Sequence, residues 1–362
     1  MARDLHRKPF NEETLVKLEL FRSYITAWLA VFVKSQRVTK KKIRIFDLFC
    51  GPGTDCSGQK GSPVLILETL QGLSSSIRNG GYSVEVFFND ASPDKITELN
   101  ETLAERKLLT GPYTLHFSSK DFLVVFEEIQ PKMLDSANLL LLDQHGVRFF
   151  TADIFEKIRT FAMTDTLVFM AASYVRRFKD EPGISQYVDV KEIFSKEIPN
   201  HQVHRALVDY YKSLVPPSQK YFLAPFSLRS GSNIYGVIFG SGNHKGLQKF
   251  LETAWSIDPL RGEADYDIDG EGIRVDQQEL FATTGRPKKT QIFEKHFETE
   301  ILEGHLPDTG AVYDFVHQQG FLMKHASSVL RRLKKDGQID GNLTAIGYSS
   351  LAEPEPIRVI QK

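Results

Sequence analysis

Four carboxylates stand at the ends of apolar runs in this 362-residue chain: Asp47 within Ile43–Phe49, Asp90 after Val84–Phe88, Asp121 after Tyr113–Phe117, and Asp143 closing Leu139–Leu142. Between Asp47 and the apolar start of a helix at Ser62 lies Phe49-Cys50-Gly51-Pro52-Gly53. Glycine has no Cβ and tolerates φ > 0, so a strand ending in such a turn lets a ligand approach the backbone closely. A dinucleotide-binding G-x-G-x-x-G turn has a third glycine where this chain has Cys56, and it seats a pyrophosphate on the helix N-terminus. The Asp47 carboxylate would repel a pyrophosphate but suits a cationic amino group. Asp90 stands where nucleotide-binding folds hold ribose hydroxyls. Asp121 either meets a ligand or caps the helix that begins near Phe122. Asp143-Gln144-His145-Gly146 offers a hydrogen-bond acceptor in Asp143 and, in His145, a proton acceptor of near-neutral pKa or an ordinary loop histidine.

Alternating strands and helices must position these groups. Residues 12–34 read as a helix with Leu15, Leu18, Ile25, Leu29 and Phe32 on a shared face. Strands are expected at 43–49, 84–88, 113–117, 139–143 and 166–172, with helices at 62–79, 93–107, from about 122, and 151–162. The continuous apolar run at 139–142 is that of a central parallel strand covered on both faces. Right-handed crossovers then give one doubly wound sheet with its ligand at the carboxyl edge. Residues 173–218 break the rhythm as a charged, aromatic helical insertion, either a lid or a structural flap. Two strands, 221–227 and 233–240, form an antiparallel hairpin, and a helix at 245–255 follows.

Composition sets the outer limits. Hydrophobic residues make up 41%, charged residues 25%, and the net charge is −1, so any polyanion must be held by local basic patches. Two cysteines, Cys50 and Cys56, supply neither a disulfide framework nor a four-ligand zinc site, and no metal is expected. They read as reduced loop residues, with a redox role as the alternative. No run approaches a membrane span and the basic N-terminus lacks an apolar segment behind it, so a cytoplasmic protein is expected.

The expected boundaries are a domain over 1–258, an acidic, Gly-rich linker over 259–288 and a module over 289–350. Helices at 291–303, 309–319 and 322–335, then a short hairpin within 338–346, resemble a winged helix-turn-helix. Its third helix carries Lys324, Arg331, Arg332 and Lys335, suited to phosphate contacts, although such modules also dock proteins.

The D-x-F-x-G-x-G spacing of Asp47, Phe49, Gly51 and Gly53 resembles the first motif of Rossmann-like S-adenosylmethionine-dependent methyltransferases. Several segments together are similar to the three-Cys-motif partner family of such enzymes: residues 17–29 (KLELFRSYITAWL), 47–55 (DLFCGPGTD), 58–63 (GQKGSP), 139–146 (LLLLDQHG), 225–241 (PFSLRSGSNIYGVIFGS) and the C-terminal module. The resemblance implies S-adenosylmethionine as cofactor, with Asp47 near its ammonium, Asp90 on the ribose and Asp121 near the adenine. It also implies a nucleic-acid substrate and a three-cysteine-motif partner protein. The family's fourth-strand motif is Asp-Pro-Phe-Gly; this chain keeps Asp143 and Gly146 but has Gln144 and His145 between. In amino-directed enzymes Asp143 would accept from the target amine. The Pro-Cys nucleophile of cytosine-5 enzymes is missing, which excludes that mechanism. Gly53→Val is expected to fill the cofactor's space. A cofactor-retaining, DNA-associated protein without turnover is the second reading, and an NAD-dependent oxidoreductase, disfavoured by Asp47, is the third.

Overall fold

The computed structural model describes residues 7–33, 41–144, 146–185, 187–273, 286–343 and 345–360. Contacts divide the chain into two units, Met1–Gly246 and Leu247–Lys362.

In the first unit, β1 (Lys42–Asp47), β2 (Ser83–Asn89), β3 (Thr114–Ser118), β4 (Ala137–Leu142), β5 (Thr164–Met170), β6 (Phe222–Ser230) and β7 (Asn233–Ser241) form one sheet of order β3-β2-β1-β4-β5-β7-β6. β1 to β5 run parallel and β7 is antiparallel to both its neighbours. This is a doubly wound, Rossmann-like sheet closed by the expected hairpin. β4 is buried at every position, as a central parallel strand must be. The order reverses between β1 and β4, so their diverging connections open a crevice at the carboxyl edge.

Helix α1 (Glu12–Val33) lies against α2 (Ser62–Gly72) and β6. Its buried stripe is Lys17, Leu18, Leu20, Phe21, Tyr24, Ile25, Trp28 and Leu29, whereas Leu15 is 39% exposed. A lysine thus takes an inward position that the apolar pattern gave to leucine. The helix expected over 62–79 breaks at Leu73 into α2 and α3 (Ser74–Asn79). Gly72 and the serine run that follows are weak helix formers, and the chain turns there. α4 (Pro93–Glu105), α5 (Phe122–Met133) and α6 (Ala152–Ile158) complete the crossovers, α5 and α6 being capped by Asp121 and Thr151.

The insertion folds as α7 (Ala172–Arg177), α8 (Pro182–Ser185), α9 (Val190–Ile193) and α10 (Val203–Ser213). α10 covers β6 and β7 through Val203, His204, Leu207, Val208 and Tyr211. His204 Nδ1 lies 2.9 Å from Ser227 Oγ, and its ring occupies the space a Cβ on Gly236 would need. The Tyr211 hydroxyl donates to the Phe150 carbonyl. α10 is therefore a fixed cover of the sheet. α11 (His244–Ile257) contains the division between the units.

In the second unit, α12 (Lys288–Leu302), α13 (Thr309–Gln318) and α14 (Met323–Lys335) bury Phe293, Phe297, Val312, Val316, Val329 and Leu333. Phe293 stacks on Phe321 at 3.9 Å, and Trp255 donates to the Gly320 carbonyl at 3.0 Å. Burial, reinforced by Lys324, pushes the His325 imidazole down to about 4; Nδ1 accepts from the Leu322 amide and caps α14. Among the described residues of 338–346 the expected hairpin does not form. β8 (Ile339–Asp340) pairs with β9 (Arg358–Val359) instead, because Ile339 and Ile357 are the apolar residues buried there. The described part of the stretch read as linker is folded: Arg261 is 3% exposed and paired with Asp267, while residues 274–285 lie outside the described residues. Among the described residues no helix is long and apolar enough to cross a membrane.

Candidate active site

A cavity of about 250 Å³ lies at the carboxyl edge of the sheet, where the strand order reverses. Phe49, Gly53, Asp90, Asp121 and Asp143 all line it, together with Phe10, Lys17, Gly61, Lys95, Phe122 and Phe149. Asp47 and Gly51 are not among the residues that line it. His145 lies outside the described residues.

The loop from Leu48 to Gly61 is longer than a dinucleotide turn and is tied to itself. Gly51 and Gly53 have φ of +62° and +86°, a region L side chains rarely enter. The Gly61 amide donates to the Gly53 carbonyl at 2.7 Å, and Asp55 Oδ1 accepts from the Ser57 and Gln59 amides. A Cβ on Gly53 would stand 2.8 Å from Leu99 Cδ1 on α4. Gly53→Val therefore strains the backbone and displaces the Leu99 side chain, so it reports on folding as much as on a ligand.

Asn89, which the sequence reading passed over, aligns three loop ends. Its Oδ1 accepts from Ser118 Oγ (2.8 Å) and the Lys120 amide (3.1 Å), and its Nδ2 donates to the Lys120 carbonyl (3.0 Å). The next residue, Asp90, accepts from the Gly51 amide (3.3 Å) and the Ser92 amide (2.9 Å), with Lys95 Nζ at 3.8 Å. Asp121 accepts from the Leu123 amide at 2.9 Å, so it caps α5 while also lining the cavity. Phe49, Phe122 and Phe149 form an aromatic wall with centroid distances of 5.1–5.4 Å. Gln144, fully buried, holds Phe149 in that wall by accepting its amide proton at 2.8 Å.

Asp47 is fully buried. Oδ2 accepts from Ser62 Oγ at 2.7 Å, but Oδ1 has no hydrogen-bond partner among the described residues. Burial pushes its carboxyl up to about 7; Ser62 and the nearby Phe49 amide oppose this, and the charges of Asp143 and Asp90 add to it. A buried carboxylate oxygen without a donor is costly, and a cation brought to it is correspondingly favoured.

Asp143, expected as a bare acceptor, is paired. Lys17 Nζ donates to Oδ1 at 2.7 Å and to Oδ2 at 2.6 Å, with side-chain exposures of 9% and 19% for Lys17 and Asp143. The same ammonium lies 4.5 Å from the Phe169 ring centroid. Lys17 was missed because it sits 126 residues from Asp143; the available signal was a lysine three and four residues before Leu20 and Phe21 on the inward stripe.

In the second unit, Arg331 and Lys335 line a groove on α14 with Lys334, Leu330 and Ile346. Arg332 turns away into a bidentate pair with Glu298 (2.9 and 2.7 Å), and Lys324 Nζ lies 5.8 Å from the Trp255 ring.

No family model matches this sequence, and neither does any curated protein. Among solved structures, it is similar to a SAM-dependent methyltransferase from Agrobacterium tumefaciens (9% identity, TM-score 0.35, 64% of this chain and 62% of that one). It is also similar to a methyltransferase from Geobacter sulfurreducens (12%, 0.28, 64% and 91%). A third is the magnesium protoporphyrin IX methyltransferase of Synechocystis PCC 6803 with bound SAH (11%, 0.30, 64% and 88%). At this level of similarity the fold assignment rests on the strand order, not on these neighbours.

Proposed function

We propose that this chain is an S-adenosylmethionine-dependent methyltransferase. The observation that carries the reading is Asp47 Oδ1, a buried carboxylate oxygen without a donor behind a cavity at the switch point of the sheet. An ammonium group would supply the missing donor, Asp90 would take ribose hydroxyls, and Asp121 with Phe122 would flank the adenine. When bound, S-adenosylmethionine supplies an electrophilic methyl group. The chain's part is to orient it over the loop from Phe49 to Gly61, to exclude water with the Phe49–Phe122–Phe149 wall, and to present the acceptor beside Asp143. Calorimetry with S-adenosylhomocysteine and with NAD tests the reading. Micromolar binding of the first and none of the second is expected; the reverse would sink it.

The finer reading is a member of the three-Cys-motif partner family, acting on a nucleic acid together with a three-cysteine partner protein. The basic face of α14 and the short β8–β9 pair, winged-helix-like in order, support the nucleic-acid part. Arg331, Lys334 and Lys335 are its contact residues, with Lys324 beside them and Arg332 available after release from Glu298. Each phosphate contact adds about 0.9 to the salt slope on duplex DNA. A charge-reversed Arg331/Lys334/Lys335 triple variant should bind more weakly with a flatter salt dependence, and an unchanged curve would make the module a protein-docking unit. A second reading, cofactor binding without turnover, is favoured by one feature: Lys17 occupies the Asp143 carboxylate. Labelled methyl transfer to total RNA and DNA separates the two.

A further inference from the structure

The segment ahead of α1 is fixed at two successive residues. Asn11 caps the helix: its Oδ1 accepts from the Thr14 amide at 3.2 Å and its carbonyl from the Leu15 amide at 3.0 Å. The Phe10 amide donates to Asp55 Oδ2 at 2.6 Å, across 45 residues of sequence. Phe10 lines the cavity, as do Thr14 and Lys17 on the first turns of α1. We infer that Asp55 is a positioning residue of the cofactor site, fastening this segment across the glycine loop so that Phe10 closes the cavity over its ligand. The inference deepens the reading proposed above and rests on it for the identity of that ligand.

The Asp55 carboxylate divides its two oxygens between two tasks. Oδ1 accepts from the Ser57 amide (2.8 Å), the Ser57 hydroxyl (2.7 Å) and the Gln59 amide (2.9 Å), which shapes its own loop. An asparagine would serve that task equally, since one oxygen carries all three bonds. The second oxygen receives the Phe10 amide. Burial raises the Asp55 carboxyl, but the Ser57 hydroxyl and the Phe10, Gln59 and Ser57 amides outweigh it and hold it below the usual range. The bond to Phe10 is therefore charge-assisted. Arg7 lines a second recess with Pro52, Thr54 and Asp55, so both ends of the stretch from Arg7 to Phe10 lie against the loop. Core filling does not account for this arrangement. Phe10 is only half-buried, so it forgoes part of the hydrophobic gain while its segment bears the entropy of ordering. A ligand that covers Phe10 restores that gain, and the ordering precedes binding.

The test uses the full-length protein and S-adenosylhomocysteine, with affinity and dissociation rate read together by surface plasmon resonance. Asp55→Asn keeps an oxygen for Ser57 and Gln59 but sets an amide N–H against the Phe10 N–H. It should weaken binding about ten-fold, the usual worth of one hydrogen bond, chiefly through faster dissociation. Phe10→Ala should weaken binding in the same way, with circular dichroism confirming the fold of both variants. The double variant should match Phe10→Ala within about two-fold, because both changes act through one contact. Additive losses, or wild-type affinity in Asp55→Asn, would overturn the inference. Amide hydrogen exchange reads the fastening without ligand. In Asp55→Asn the Phe10 amide should exchange about ten-fold faster, while the Gln59 amide, held by the other oxygen, stays as protected as in the wild type. Unchanged exchange at Phe10 would overturn the inference whether or not a ligand binds. Wild-type protein that binds no S-adenosylhomocysteine would overturn the cofactor reading instead, and the exchange comparison then decides the role of Asp55 by itself.

Discussion

Asp47 and Asp165 are both buried carboxylates in the same parallel sheet, yet their surroundings are opposite. Asp165 lies near the amino end of β5 and has a donor on each oxygen: Tyr24 donates to Oδ2 at 2.6 Å and Ser241 to Oδ1. Those donors come from α1 and β7, so Asp165 joins the leading helix to the sheet. Burial raises its carboxyl, Ser241 and Tyr24, with Trp28 nearby, pull it back, and it rests at about 6. Asp47, at the carboxyl end of β1, has one donor, one orphaned oxygen and two carboxylate neighbours, and it rests at about 7. A satisfied buried charge holds a fold together; an unsatisfied one marks where the fold is incomplete without a ligand.

The comparison breaks most visibly at Asp165. Asp165→Ala takes this acceptor from the Tyr24 hydroxyl, at about 1–3 kcal/mol for a buried orphan, while Ser241 Oγ keeps the Asn243 carbonyl at 3.1 Å. A loss of about 1–3 kcal/mol in denaturant unfolding is expected. A loss under 1 kcal/mol would show that the network is dispensable and that the contrast with Asp47 carries no weight.

Asp47→Asn should move stability the other way. The folded-state carboxyl is raised above its unfolded value, so folding takes up a proton between about pH 4 and pH 7, and stability falls as pH rises through that window. Asparagine removes this cost while its oxygen still accepts from Ser62. A gain of about 1–2 kcal/mol above pH 7, shrinking toward zero near pH 4, is expected. The same variant should weaken S-adenosylhomocysteine binding at least ten-fold, the trade expected of a site whose strain serves a ligand. A variant less stable than wild type at pH 8 would contradict the assignment.

The contrast also separates what sequence can and cannot show. The alternation of strands with helices, the terminal hairpin and the four strand-end carboxylates were readable because burial on both faces leaves apolar runs, and glycines punctuate the turns. Asp165 drew no attention, since it opens an apolar strand and its donors lie 141 residues before it and 76 after. Lys17 escaped for the same reason. Local patterns report which face is inward, but an inward polar residue names its partner only through tertiary structure. The pairing of β8 with β9 was missed because strands of two residues carry no period. Gln144, read as a departure from a motif, proves to hold Phe149, a role set by loop geometry.

The smallest effect sharpens the comparison furthest, because it asks whether the orphaned oxygen itself meets the ligand. If an ammonium group docks on Asp47, bound protein requires the carboxylate, whereas free protein below about pH 7 holds the acid. Binding must then release close to one proton near pH 5.5–6, and affinity must climb by up to about ten-fold per pH unit before levelling above pH 7. Calorimetry in two buffers of different ionisation enthalpy reads that proton directly. Asp90, Asp143, Lys17 and Lys95 also face this region, so the variant control matters. Asp47→Asn should abolish the release, whereas Asp165→Asn should leave it intact, since Asp165 has donors enough and meets no ligand. Release that persists in Asp47→Asn would assign the proton to another group and leave the orphaned oxygen without a role.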